Sequence, residues 1–105
     1  MTTVKFFKCD GILTGFEISG HSSENHKDFE GKIVCSAISS AAYLTANTLV
    51  EVIGAKIFTK VNDGYMYLKL ESNFEEAQIS LMGLELHLKE LAKQYRKQIS
   101  FISEV

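Results

Sequence analysis

The sequence predicts an α+β fold: a two-layer sandwich of two β-hairpins packed against two helices, in the order ββαββα, with a fifth strand available at the C-terminus. Three observations carry this. Asp10-Gly11 and Asn62-Asp63-Gly64 each separate two short β-prone runs, and Asp-Gly supplies the positive φ angles of a tight hairpin turn. A long apolar segment crowded with small residues follows the first hairpin. After the second comes a segment whose hydrophobic residues recur at spacings of three and four, the period of an amphipathic helix.

The first hairpin pairs residues 3–9 (TVKFFKC) with residues 12–19 (ILTGFEIS), and Cys9 is read as an inward-facing strand residue. A helix runs from about Ile33 to Ile53, with Gly54 as its C-cap. Its Ser36, Ala37, Ser39, Ser40, Ala41 and Ala42 let neighbours come close, so it is expected to be central and mostly buried. The second hairpin pairs residues 55–61 (AKIFTKV) with 65–71 (YMYLKLE). There Met66, Leu68 and Leu70 alternate with Tyr65, Tyr67 and Lys69, so one face meets the core and the other, with Phe58, looks outward. The second helix spans about Phe74 to Tyr95, opened by a capping box of Ser72 and Glu75. Phe74, Ala77, Leu81, Leu84, Leu88, Leu91 and Tyr95 form its stripe, and Met82 and Leu86 widen it; such apolar surface is normally core, though an exposed portion could make a homodimer interface. Residues 98–105 (QISFISEV) read as the closing strand; the order of strands in the sheet stays open.

Length and composition bound the function. A chain of 105 residues reads as one domain, 1–105, with 46% hydrophobic and 23% charged residues, an ordinary globular balance. A net charge of -2 with scattered lysines leaves no nucleic-acid footprint. Lys89, Lys93, Arg96 and Lys97 gather where a helix C-terminus favours cations. The N-terminus has no run long enough for a signal peptide, and no segment is read as a membrane span, so a cytoplasmic protein with reduced Cys9 and Cys35 is expected.

The candidate chemistry lies in SGHSSENHKDFEGKIVCSAISS, residues 19–40. His21 follows Gly20 at the end of a strand, and Cys35 is expected in the first turn of a helix. There the helix dipole and unpaired backbone N–H groups favour a thiolate and could hold an oxyanion. His21 would serve as general base to the thiol and general acid to a leaving amine. Ser39 lies one turn after Cys35 on the same face, where its hydroxyl could orient His21 or hydrogen-bond near the thiol. From spacing alone, however, a packed structural cysteine is the commoner outcome, since free cysteines are among the most buried residues. A metal site from His21, His26 and Cys35 has no recognised ligand spacing, so neither metal nor cofactor is expected. A thiol redox sensor also remains open.

The Gly-His after the second strand, the loop, and Ile-Val-Cys-Ser-Ala-Ile-Ser opening a small-residue helix resemble the Prp, or YsxB-like, family of ribosomal-processing cysteine proteases. The resemblance covers nearly the whole chain. It implies a homodimeric cytoplasmic endopeptidase that removes the N-terminal extension of a ribosomal large-subunit protein, with Cys35 as nucleophile and His21 as base. It also implies a lid over residues 22–32, and Gly20, Ser22, Gly31, Lys32, Ser36 and Ser39 as supporting or substrate-binding residues. Two positions depart from the family pattern: Lys32 stands where the family usually has aspartate, and Ser22 replaces the usual alanine. A catalytically inactive peptide-binding or ribosome-assembly protein of the same fold is the alternative.

Overall fold

The computed structural model of the chain describes residues 1–20 and 29–102; His21, Ser22 and the rest of segment 21–28, and residues 103–105, lie outside the described residues. Strands β1 (Thr2–Cys9) and β2 (Ile12–Ser19) form the first hairpin, and helix α1 (Phe29–Asn47) continues as a π-helical stretch, Thr48–Ile53. Strands β3 (Ile57–Asn62) and β4 (Tyr65–Leu70) form the second hairpin, followed by α2 (Phe74–Gln94) and β5 (Ile99–Ile102). This is the expected order, including the closing strand.

The open question of strand order is resolved as β3-β4-β2-β1-β5. The hairpins join through the antiparallel pair β2–β4, while β5 lies parallel to β1, making the sheet mixed. Alternation along the strands builds the core. Val4, Ile18 and Met66 sit opposite one another in one row across β1, β2 and β4, and Phe6, Phe16 and Leu68 in the next. Val34, Ile38, Ala42 and Leu49 from the first helix and Ala77, Leu81, Leu84 and Leu88 from α2 cover these rows. Fully burying one such large side chain stabilises by about 1.5–3 kcal/mol, and a one-residue slip would turn a whole strand's set to solvent. The rows therefore specify the register.

The opposite face is open among the described residues. Tyr67 stands between Phe7 and Phe58, with ring centroids 5.8 and 6.1 Å away. Tyr65 Oη donates a hydrogen bond of 2.6 Å to Glu17 Oε2. That bond, aided by burial and the carboxylate charge, holds the Tyr65 phenol above its ordinary value of 10.0. Because the folded value is raised, this contribution to stability is complete below pH 10.0 and is lost as pH rises through the folded value. In Glu17→Gln the Tyr65 titration, followed by NMR of the ring carbon bearing the hydroxyl, is expected to move down; an unchanged midpoint would show that Glu17 is not the cause.

Five expectations are corrected. Ser72 and Glu75 do not form a capping box: Asn73 is the N-cap, in a left-handed conformation, with no side-chain cap hydrogen bond. Ser72 Oγ instead accepts the Lys56 N–H at 2.8 Å, tying the entry of β3 to the entry of α2. Cys9 is exposed rather than inward-facing. It pairs with Ile12 next to the hairpin turn, and Ile12 is exposed too, so this tip is not covered. The expectation that no segment reaches membrane-spanning length also fails, because Phe29–Ile53 is 25 residues long with a mean hydropathy of 1.5. Its buried residues, among them Val34, Ile38, Ala42 and Leu49, pack on the sheet, but Ile33, Leu44, Val50 and Val52 are exposed, so the helix lies on the core along one face instead of being mostly buried as expected. Finally, α1 begins at Phe29 rather than near Ile33, with consequences for Cys35. Its far end behaves as expected: Gly54 is left-handed (φ 80°) and its N–H caps the Leu49 carbonyl.

Candidate active site

The site forms where the two hairpins meet α1. Strand β2 leaves the sheet at Gly20, whose φ of +91° favours glycine, and an added Cβ would lie 2.4 Å from the Met1 carbonyl oxygen. The Gly20 N–H donates to the Gly64 carbonyl at 2.8 Å, pinning the end of β2 to the β3–β4 turn. Pairing of β4 with β2 therefore brings residues 20 and 64 together despite their separation in sequence.

On the other side stands one stripe of α1, with Cys35, Ser39 and Tyr43 at four-residue intervals. Between stripe and hairpin lies a cleft of about 260 Å³. Ile18, Ile38, Ala42 and Met66 make it apolar, and Val61, Asn62, Asp63 and Gly64 line it from the hairpin. It is near the small end of ligand pockets, sized for one or two side chains of a peptide.

The anticipated residues separate into three groups. Cys35, Ser39 and Gly20 line the cleft together. Gly31 is buried in the first turn of α1, whereas Lys32 and Ser36 are exposed and do not line the cleft. The Lys32 ammonium lies 5.8 Å from the centroid of the Phe29 ring. His21 and Ser22 lie outside the described residues, although Gly20, to which His21 is joined, lines the cleft. Of the anticipated lid, residues 22–28 lie outside the described residues and Phe29–Lys32 form the first turn of α1.

Cys35 is the seventh residue of α1, in its second turn rather than its first. An α-helical residue there directs its N–H at the carbonyl four residues back, and the dipole acts mainly over the first turn. The first turn of α1 begins at Phe29, so Cys35 lies one turn inward of the helix end, which is where the dipole acts most strongly.

Tyr43, Val61, Asp63 and Met66 were not anticipated as site residues. Tyr43 was within reach by extending the Cys35–Ser39 spacing one more turn. The hairpin residues carried no such signal, because their place depends on the β2–β4 pairing.

Over residues 1–100 the sequence matches the family model described as cysteine protease Prp. The chain belongs to the cysteine protease Prp family. No curated protein matches it. Among solved structures, the essential ribosomal processing protease Prp from S. aureus, with a covalently linked product peptide, superposes with a TM-score of 0.87 at 21% identity, covering 99% of this chain and 100% of that one. SMU.848 from Streptococcus mutans gives 0.87 at 23% identity over 99% and 96% of the two chains. At these identities the structures establish a shared fold, and family membership makes the chain a cysteine protease. This Prp family member has two cysteines, of which Cys35 lines the cleft and Cys9 is exposed at the hairpin tip.

Proposed function

We propose that the chain is an endopeptidase with Cys35 as nucleophile and His21 as general base and acid. The observation that carries this is the cleft itself: one of the two cysteines lines it, and so does Gly20, the residue bearing His21. His21 takes the thiol proton, and the Cys35 sulfur attacks the scissile carbonyl carbon. Collapse of the tetrahedral adduct breaks the C–N bond, with the proton passing to the leaving amine and a thioester remaining. Water, deprotonated by His21, then releases the acid and regenerates the thiol.

The substrate is the N-terminal extension of a ribosomal large-subunit protein, processed in the cytoplasm. Supporting this are the family resemblance and the S. aureus relatives, described as ribosomal processing proteases bound to substrate and product peptides. Mass spectrometry of the host's large-subunit proteins incubated with the wild type is expected to show one N-terminal cut. Intact substrates after prolonged incubation would reject the activity.

The enzyme acts as a homodimer in this reading. Leu44, Ile79, Met82 and Leu86 are exposed apolar residues on the two helices, and Leu44 and Ile79 flank a shallow groove that includes Gly83. A second copy burying this surface is supported by its apolar character. Sedimentation velocity is expected to show a wild-type dimer and a folded monomer for Leu86→Glu; a monomeric wild type would remove the proposal.

A further inference from the structure

Among the described residues β3 is an open edge of the sheet, and its last residues, Val61 and Asn62, line the Cys35 cleft. The hydrogen-bond parity of that edge can be read off. Glu71 N–H donates to the Lys56 carbonyl at 2.8 Å, and the register pairs Phe58 with Lys69, Lys60 with Tyr67 and Asn62 with Tyr65. In an antiparallel ladder alternate residues exchange both backbone bonds with the partner strand. Lys56, Phe58, Lys60 and Asn62 share one parity and spend their backbone groups on β4. Ile57, Thr59 and Val61 therefore direct theirs away from the sheet.

Protein edges are normally blunted by proline, bulges or inward-pointing charge. This chain has no proline, and the β3–β4 pairing runs without a register shift. The one lysine within β3, Lys60, pairs with Tyr67 and so shares the outer face. Facing the edge across the cleft is the Cys35–Ser39–Tyr43 stripe of α1. An extended peptide fits the space between a strand edge and a helix flank, and a protease must hold its substrate extended for attack.

We propose that β3 is the substrate-docking strand: the peptide adds to the sheet along Ile57–Val61 and carries its scissile bond to Cys35. This rests on the protease reading of the cleft. Strand addition supplies affinity through the main chain and specificity through alternate side chains. The peptide residue opposite Val61 shares the face of Val61 and of its partner Met66, so its side chain enters the cleft beside Ile38, Ala42 and Tyr43. Its two neighbours lie opposite Lys60 and Asn62 and point to the outer face. The enzyme thus selects apolar side chains at every second position and tolerates polar ones between.

The test uses the Cys35→Ser variant, which lacks the thiol, and a random decapeptide library displayed on messenger RNA. The tightest binder, labelled with fluorescein, is the probe for an N-methyl scan of its backbone. Methylation of alternate amides is expected to weaken binding roughly tenfold, the loss of about one hydrogen bond, with little effect at intervening ones. Thr59→Pro removes an outward N–H without costing the hairpin a bond, so it is expected to weaken binding roughly tenfold while circular dichroism stays unchanged. A uniform scan, full binding by a folded Thr59→Pro variant, or no enriched peptide would overturn the docking strand. If the alternating pattern holds but wild type does not cut the same peptide, the strand stands and the protease reading falls.

Discussion

Cys35→Ala is expected to reduce peptide cleavage by roughly four orders of magnitude or more, since in the proposed mechanism it removes the nucleophile and with it the covalent route. His21→Ala is expected to give a loss of comparable order, and the double variant little more than either alone, because nucleophile and base act as a unit. Cys9→Ala supplies the control: Cys9 is exposed at the hairpin tip and takes no part in the cleft, so its activity should match wild type. The structural cost of Cys35→Ala should be small, because Cys35 is only partly buried and belongs to no core row. The pairing of lost turnover with a nearly unchanged thermal midpoint is the expected signature. Retained cleavage by Cys35→Ala, or a loss explained by unfolding, would remove Cys35 from the chemistry.

Gly15→Ala is expected to destabilise the fold by about 3 kcal/mol, toward the upper end of what overpacking usually costs. Gly15 sits in the middle of β2, flanked by β1 and β4. A Cβ added there would come within 2.1 Å of the Leu68 carbonyl oxygen and 3.1 Å of the Lys69 Cα. Both are backbone atoms of β4, so no rotamer change relieves the contact; the β2–β4 ladder itself must shift. That ladder also holds Gly20 against the β3–β4 turn. The variant should therefore lose activity along with stability. Urea unfolding of wild type and variant measures the difference, and a loss below about 1 kcal/mol would show that the sheet accommodates the methyl group with ease.

The two predictions separate chemistry from scaffold, and the same separation marks what could be read from the chain. The Asp-Gly turns, the alternation of Met66, Leu68 and Leu70, and the leucine spacing of α2 are local patterns. Each reports the face that must be buried, so elements and their order were legible. Element ends were less so. The start of α1 at Phe29 and the N-cap at Asn73 depend on short-range competition among polar groups, and Ser72 was drawn off to Lys56 by a contact sixteen residues away. Cys9 was misjudged because alternation along β1, with Val4 and Phe6 inward, in fact puts it on the outer face with Lys5 and Phe7.

The sequence by itself determined the family and the pair Cys35 and Ser39 on one helical stripe, because an i, i+4 spacing on a helix is a geometric fact wherever that helix sits. It also determined that glycine joins β2 to His21. Only the tertiary structure decided that β4 pairs with β2, which carries the β3–β4 turn to Gly20 and makes a cleft of two surfaces distant in sequence. It also decided that β3 lies at the edge, with Val61 leading into that cleft. The physical reason is that backbone hydrogen bonds between strands carry no record of side-chain identity. Which strands become neighbours is settled by how two hairpins and two helices jointly bury their apolar faces.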